Sequence, residues 1–221
     1  MYDWVTHTHS ALAGSCPHQC TYCYVTALGR RWEEVKNRHS GPIRLVEAEM
    51  QLRFGQGKTI FLEHMSDLFA ERVPTEFIER ILAHCADWPN NTYVFQSKNP
   101  ARFADFLSLI PANSILGTTI ETNRAMEVVS TAPSPEKRYL AMRDLKHQRF
   151  VTVEPILDFD PDILARWIAE IKPEYLNIGA DSKMSRLPEP SKATILDFLD
   201  RLKDAGIAVR KKTNLDRLMA G

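Results

Sequence analysis

Short apolar runs alternate with amphipathic segments along most of the chain. Between the runs, apolar residues recur at helical spacing, as Phe77, Ile78, Ile81, Leu82 and Cys85 do. Continuous apolar strands separated by helices are typical of a parallel sheet that is covered on both faces. One more strand is expected near residues 4–9. The runs that predict strands lie at residues 59–63, 92–96, 114–120, 149–153, 175–178 and 207–209.

The predicted strands follow one another at roughly 20 to 35 residues, which is the length of a βα unit. This spacing gives six to seven parallel strands. A closed eight-stranded barrel usually needs about 250 residues, and this chain has 221. We therefore expect an open, partial (β/α)6 barrel in a single α/β domain over residues 1–221.

Capping residues predict where the helices begin. The predicted helix starts are Pro74, Asn99–Pro100, Ser134–Pro135, Asp160–Pro161 and Ser191.

The composition is that of an ordinary soluble globular protein, with 44% hydrophobic and 25% charged residues. No apolar run reaches the length of a membrane span, and no signal peptide opens the sequence. The formal net charge is zero, so no overall field attracts nucleic acid, although local clusters can still do so. These features predict a cytoplasmic protein with no membrane partner, and they leave the oligomeric state open.

Three cysteines lie close together near the N-terminus, in the spacing C-x3-C-x2-C. Cys16, Cys20 and Cys23 occupy one span of eight residues. Three thiolates on one loop can hold three irons of an iron–sulfur cube, and the fourth iron then stays open to a substrate or cofactor. The spacing therefore favours a [4Fe–4S] cluster that takes part in chemistry.

A structural zinc site is the alternative interpretation of the same cysteines. Zinc sites usually take their ligands from two separated pairs, whereas these three thiols share one short span. A disulfide framework is disfavoured, because four cysteines in 221 residues is sparse. The nearby histidines that could complete a zinc site are His7, His9 and His18.

Polar residues follow nearly every predicted strand. Ligands of parallel α/β folds bind at the carboxyl ends of the strands. We expect Glu63, Lys98, Glu121 and Glu154 to line one polar mouth there, although polar strand ends can also be helix caps or solvated residues. Such a mouth suits a zwitterionic cofactor that carries a ribose.

The cysteine motif, with Tyr22 just before Cys23, resembles the signature of the radical SAM superfamily. The resemblance covers nearly the whole chain. It implies a partial (β/α)6 barrel, a [4Fe–4S] cluster on Cys16, Cys20 and Cys23, and S-adenosylmethionine (SAM) that binds the fourth iron through its amino and carboxylate groups. The segments T-Y-C-Y, M-S-D, S-K-N-P and V-E-P resemble a small phage-associated group near the spore photoproduct lyase branch.

The resemblance also implies residues that bind the methionine end and the adenine of SAM. Tyr22 matches the aromatic residue beside the adenine. Ser66 and Asp67 stand where the superfamily usually has a Gly-Gly-Glu-like stretch for the methionine amine. Lys98 resembles the basic residue that pairs with the methionine carboxylate in lyase-like members.

The remaining strand ends are assigned to the ribose and the substrate. Thr119 and Glu121 fall where the ribose hydroxyls are usually held, and Glu154 could contact the ribose or the substrate. Glu63 and Asn123, at the same strand ends, are candidates for substrate contact.

Two basic stretches lie at residues 137–149 and 210–217, and runs of this kind are mostly solvated faces. Lys211 and Lys212 directly follow the last predicted strand, where they could contact DNA phosphates. Cys85 could donate a hydrogen atom to a radical, but its helical spacing favours a place in the core.

The sequence therefore predicts a radical SAM enzyme, supplied by an external one-electron reductant, that modifies or rearranges a nucleobase, in particular a hypermodified base in DNA. A radical SAM enzyme acting on a small metabolite or a peptide is the first alternative. A zinc- or cluster-bearing interaction module without turnover is the second.

Overall fold

The computed structural model describes residues 2–125, 129–182 and 185–220. Its strands are β1 (His7–His9), β2 (Leu12–Ala13), β3 (Arg44–Leu45), β4 (Thr59–Leu62), β5 (Thr92–Gln96), β6 (Ser114–Thr119), β7 (Arg149–Val153), β8 (Leu176–Ile178) and β9 (Val209–Lys211). Its helices are α1 (Tyr24–Gly29), α2 (Glu33–Arg38), α3 (Thr75–Ala86), α4 (Phe103–Phe106), α5 (Pro135–Asp144), α6 (Pro161–Ile171), α7 (Lys192–Asp204) and α8 (Asp216–Met219). None of the helices described is long and apolar enough to cross a membrane.

Seven strands form one sheet in the order β1-β4-β5-β6-β7-β8-β9. The pairs β1–β4, β4–β5, β7–β8 and β8–β9 are all parallel. Within the described residues β1 and β9 are edge strands, so the sheet is open. The predicted fold class, a mostly parallel α/β fold with an open sheet, is confirmed.

The helix starts at Ser134 and Ser191 are also confirmed. The Ser134 hydroxyl accepts a hydrogen bond from the backbone N–H of Lys137, and Ser191 does the same for Thr194. Each bond satisfies a donor that the first turn of a helix would leave without a partner.

Several local predictions differ from the structure. The last strand begins at Val209 and not at Ile207, because the backbone N–H of Ile207 bonds back to Leu202 and closes α7. The segment after Asn99 forms a 3₁₀ turn at Pro100–Arg102 and only a short helix, α4. The antiparallel β2–β3 pair was not predicted, because strands of two residues are too short to show an alternating pattern.

The chain divides into two compact units. The first comprises Met1–Gln19 and Cys23–Leu116, and the second comprises Cys20–Tyr22 and Gly117–Gly221. Strand β6 contains the boundary between them. The single domain expected from the sequence stays a prediction.

Gly117 allows the aromatic core of the second unit to pack tightly against β6. A Cβ atom at this position would lie 2.2 Å from two ring carbons of Phe150. The Phe150 ring is fully buried and stacks on Tyr175 at 5.4 Å between ring centroids. The ring therefore has little room to move aside.

Gly117→Ala should destabilise the protein by about 1–3 kcal/mol through overpacking. Gly29→Ala is the matched control, because its Cβ would meet nothing closer than 3.4 Å. Urea unfolding of both variants beside the wild type measures the difference, and equal stability of the three proteins would contradict this packing.

Candidate functional site

The cysteine loop begins at a glycine that no other residue can replace without strain. Gly14 has a φ of +101°, and a Cβ there would lie 2.3 Å from the carbonyl oxygen of Pro42. Its N–H donates to the carbonyl of Arg38 at 2.8 Å, and the N–H of Ser15 donates to that of Gly41 at 2.9 Å. These bonds fix the start of the loop just before Cys16.

Within the described residues, the three cysteines of the loop form no disulfide and are half-buried. Among the described residues, no three His, Cys, Asp or Glu side chains are grouped closely enough to hold a single metal ion. His7 is exposed and contacts Thr6, whereas His9 is buried against Phe54. A cavity of about 340 Å³ lies beside Cys16, with Pro42 and Arg72 in its lining.

In the first unit, His18 connects the cysteine loop to the segment after β4. Its Nε2 lies 2.7 Å from Oδ2 of Asp67, and both side chains are buried. The same Oδ2 accepts a hydrogen bond from the backbone N–H of Lys98 at 2.7 Å. Oδ1 accepts a hydrogen bond from the backbone N–H of Phe69 at 3.0 Å. Asp67 therefore links the loop to the ends of β4 and β5.

The charge of Asp67 is maintained by these contacts. Burial alone would raise the pKa of its carboxyl, but hydrogen bonds from His18, Ser97 and the Lys98 backbone hold the pKa below its usual value. An ionised Asp67 can accept all of these donors at once.

Glu63 supports the chain just after β1. Its carboxylate is buried and accepts the backbone N–H groups of Ala11 at 2.6 Å and Leu12 at 3.1 Å. Burial raises the pKa of Glu63 to about 7, although the two N–H groups act in the opposite direction. This carboxylate, proposed above for substrate contact, is thus engaged with backbone.

In the second unit, the half-buried Tyr22 and the buried Glu121 and Arg138 form a chain of hydrogen bonds. The Tyr22 hydroxyl donates to Oε1 of Glu121, and Nη1 of Arg138 donates to Oε2 at 2.8 Å. Arg138 also donates to the carbonyls of Thr119 at 2.5 Å and Pro133 at 2.9 Å. Burial, and next the Glu121 charge, raise the pKa of Tyr22 well above its usual value, so the hydroxyl stays a donor.

Arg138 corrects one expectation from the sequence. It belongs to the basic stretch taken as a solvated face, yet its side chain is only 1% exposed. The signal that could have revealed it is its position on α5, four residues before the buried Met142. A buried arginine requires a carboxylate partner, and Glu121 supplies it.

Two further contacts fix the middle of the loop within the second unit. The N–H of Thr21 donates to the carbonyl of Val129 at 3.0 Å, and Sγ of Cys20 lies 3.2 Å from the hydroxyl of Ser130. The Tyr22 ring packs against Val129 and Leu157.

One face of the sheet in the second unit carries most of its polar side chains. Successive residues of a strand point to opposite faces, and the register aligns Thr152, Asn177 and Arg210. Asn177 lies 3.4 Å from the Thr152 hydroxyl, and the Arg210 guanidinium lies 3.6 Å from the Tyr175 ring centre. By the same alternation, Thr119, Glu121, Glu154 and Lys212 belong to this face.

At the ends of β7 and β9, Glu154 and Lys212 form an ion pair of 2.6 Å. Asn214 donates to Oε1 of Glu154 at 3.2 Å and is held by the backbone of Ala180. Asn214 carried no motif in the sequence, so only the structure identifies it.

The other predicted residues lie in different surroundings. Asn123 binds Asp160 at the start of α6 through both its amide groups. Ser66 and Lys98 are half-exposed, and Lys211 is exposed. Cys85 is fully buried, as expected for a core residue, and burial raises the pKa of its thiol.

Solved structures with the same fold include two radical SAM enzymes. A mutant of spore photoproduct lyase matches 93% of this chain and 76% of its own, at 13% identity and a TM-score of 0.63. Another structure of that enzyme, with bound AdoMet and dinucleoside spore photoproduct, matches 89% of this chain and 60% of its own, at 15% identity and a TM-score of 0.53.

SuiB of Streptococcus suis bound to S-adenosylmethionine matches 95% of this chain and 51% of its own, at 7% identity and a TM-score of 0.57. SuiB has also been solved with its precursor peptide SuiA. The chain thus spans between half and three quarters of these proteins, and at such identities the likeness concerns the fold. The fold is that of radical SAM enzymes.

The chain belongs to the family described as protein of unknown function DUF5131, whose model matches residues 2–168. No curated protein matches the sequence.

Replacing Arg138 should cost far more stability than replacing a surface arginine of the same helix. Arg138→Met leaves the fully buried Glu121 carboxylate without its cation, so we expect a loss of about 3–5 kcal/mol. Arg143→Met, at an exposed position, should change stability by no more than about 0.5 kcal/mol. Urea denaturation compares them, and equal losses would contradict the buried pair.

Glu63 should give the protein a pH-dependent stability. Its folded pKa of about 7 exceeds the unfolded value of 4.5, so the folded state keeps a proton that the unfolded chain has lost between these values. Stability is therefore lost as pH rises through this window. Between pH 4.5 and 7, the free energy of unfolding of the wild type should fall by on the order of 3 kcal/mol more than that of Glu63→Gln.

Denaturation midpoints across this pH range measure that difference. Histidines contribute to both proteins alike and cancel in the comparison. Glu34→Gln, at an exposed position, should follow the wild type. A Glu63→Gln variant with the same pH slope as the wild type would refute the assignment.

Proposed function

We propose that this protein is a radical SAM enzyme that modifies or rearranges a nucleobase, in particular a modified base in DNA. The observation that carries the proposal is a C-x3-C-x2-C loop on an open parallel sheet whose fold matches spore photoproduct lyase and SuiB. The reaction class within this group stays open.

The three thiols fit a [4Fe–4S] cluster as a donor set. They form no disulfide among the described residues, and they are partly accessible and confined to one loop. A four-iron cube holds its thiolates farther apart than a single ion does. Cys16, Cys20 and Cys23 would hold three irons. When bound, the reduced cluster would supply the electron that cleaves SAM to a 5′-deoxyadenosyl radical.

The residues around the loop would position it. The Asp67 carboxylate already accepts hydrogen bonds from His18 and from two backbone N–H groups. Both oxygens of Glu121 likewise accept hydrogen bonds, one from Tyr22 and one from Arg138. We therefore propose that these two carboxylates act on SAM through the loop rather than by direct contact. Ser66 and Lys98, which are both half-exposed residues, are the better candidates for contact with the methionine group of SAM.

The substrate proposal rests on likeness and on the polar strand ends. Spore photoproduct lyase has been solved with a dinucleoside photoproduct, which supports a nucleobase. SuiB has been solved with a precursor peptide, so a peptide is the second candidate, and a small metabolite is the third. A cytoplasmic location, a single domain, a link to phage and an external one-electron reductant belong to the same proposal.

Cluster content tests the proposal first. After anaerobic reconstitution the wild type should contain about four irons and four sulfides, and it should form 5′-deoxyadenosine when reduced with SAM. Cys16→Ala, Cys20→Ala and Cys23→Ala should lose both properties. Cys85→Ala is the matched control and should keep them, because its thiol lies in the core.

Stoichiometric zinc without sulfide would overturn the proposal in favour of a zinc-bearing interaction module. If the cluster forms and SAM is cleaved, candidate DNA, nucleosides and peptides should be compared as substrates by mass spectrometry of the products. A product from a peptide and none from DNA or nucleosides would reject the nucleobase.

A further inference from the structure

We propose that Glu154 and Lys212 bind the hydrogen-bonding (Watson–Crick) edge of an unpaired nucleobase. This inference rests on the proposed function and names the recognition group for its substrate. It replaces the phosphate contact expected for Lys212 from the sequence.

The pair is held in place from both sides. Oε2 of Glu154 lies 2.6 Å from Nζ of Lys212, and Asn214 donates to the other oxygen of Glu154. Asn214 is itself bound to both backbone groups of Ala180, and the N–H of Lys212 donates to the carbonyl of Ile178. Rigid support of this kind favours specific recognition.

The two charged groups remain accessible to a ligand. The side chains of Glu154 and Lys212 are 21% and 31% exposed, at the carboxyl ends of parallel strands where such folds bind ligands. They lie on the polar face of the sheet, beyond the buried Thr152 and Asn177.

The charges of the pair favour a neutral ligand. The ammonium of Lys212 is compensated by a carboxylate 2.6 Å away, and that carboxylate would repel a phosphate at the same place. A group that donates one hydrogen bond and accepts another meets no such repulsion.

The spacing of the pair selects the shape of that neutral group. The N–H nitrogen and the carbonyl oxygen of one amide unit stand roughly 2.2 Å apart by their bond lengths, close to the 2.6 Å of the pair. Base edges place such a donor beside an acceptor on the same side, so the N–H would donate to Glu154 and the acceptor would receive from Lys212. A trans peptide bond points its N–H and C=O to opposite sides and cannot do this.

One consequence concerns the state of the nucleic acid. In a duplex this edge is occupied by the complementary base, so the site requires a single strand or a base turned out of the helix. Single-stranded DNA should therefore bind more tightly than a duplex of the same sequence.

The test uses the reconstituted protein and a fluorescently labelled single-stranded oligothymidylate. The matched ligand is the same oligonucleotide with N3-methylthymidine, whose edge can no longer donate. We expect the methylated ligand to bind at least tenfold more weakly, within the range for one two-point base contact. This comparison does not depend on any variant folding correctly.

Variants supply the second comparison. Lys212→Met and Glu154→Gln should each weaken the binding of oligothymidylate at least tenfold. Each should also reduce the difference in affinity between the unmodified and the methylated ligand. Lys211→Met is the matched control, because it removes the adjacent exposed lysine from the opposite face of β9, and it should keep the discrimination.

Iron content and 5′-deoxyadenosine formation, measured in the same samples, separate the two proposals. If both are absent, the proposed function itself fails. If both are present but the methylated ligand binds as well as the unmodified one, or neither ligand binds, the recognition site is wrong. Equal effects of Lys211→Met and Lys212→Met would reject it in favour of phosphate contact, as would tighter binding of the duplex. A glutamine-rich peptide that competes as strongly as the oligonucleotide would also overturn it.

Discussion

Within the second unit, the segment Cys20–Tyr22 of the cysteine loop depends on the fully buried Glu121 carboxylate. A charge removed from water is tolerated only where donors surround it. Arg138 supplies the cation and the Tyr22 hydroxyl supplies the second donor, so one ion pair fixes a helix, a strand end and a segment of the cysteine loop. In the first unit Asp67 has the corresponding task, with His18 and the N–H of Lys98 as its donors.

These two carboxylates explain how a loop rich in small polar residues can hold a defined shape. The loop buries little apolar surface apart from the Tyr22 ring. Its geometry comes instead from hydrogen bonds at Gly14, His18, Thr21 and Tyr22. Such bonds are worth little each on balance, but breaking one leaves a buried partner unsatisfied, and that cost keeps the loop in place.

The sequence predicted the larger features well, because they follow from patterns with a physical period. Apolar runs located β4 to β8 closely, and Ser134 and Ser191 marked helix starts through their side chains. The same patterns could not show partners that are distant in the chain. Arg138 was placed in a solvated basic run and Lys212 was expected to contact phosphate, whereas each pairs with a glutamate from another element. Asn214 belongs to no motif, and it donates to Glu154, a residue that is distant from it in the chain.

The roles given to Glu63, Asp67 and Glu121 also show where strand-end reasoning stops. Parallel strands do bring their polar ends to one edge, but a carboxylate there can serve the protein's own backbone as readily as a ligand. Glu63 accepts from Ala11 and Leu12, which supports the start of the cysteine loop. Partial exposure distinguishes a strand-end residue that can bind a ligand from one that binds only the protein's own backbone. By that criterion Glu154 and Lys98 are suited to direct contact with a ligand.

Electron paramagnetic resonance of the reduced protein tests the central claim most directly, because it reports whether one iron of the cluster is open to SAM. The account predicts the signal of a reduced [4Fe–4S] cluster, absent in Cys20→Ala, whose shape changes when SAM is added. A cluster signal that SAM leaves unchanged, or no cluster signal in the anaerobic reconstituted protein, would contradict it.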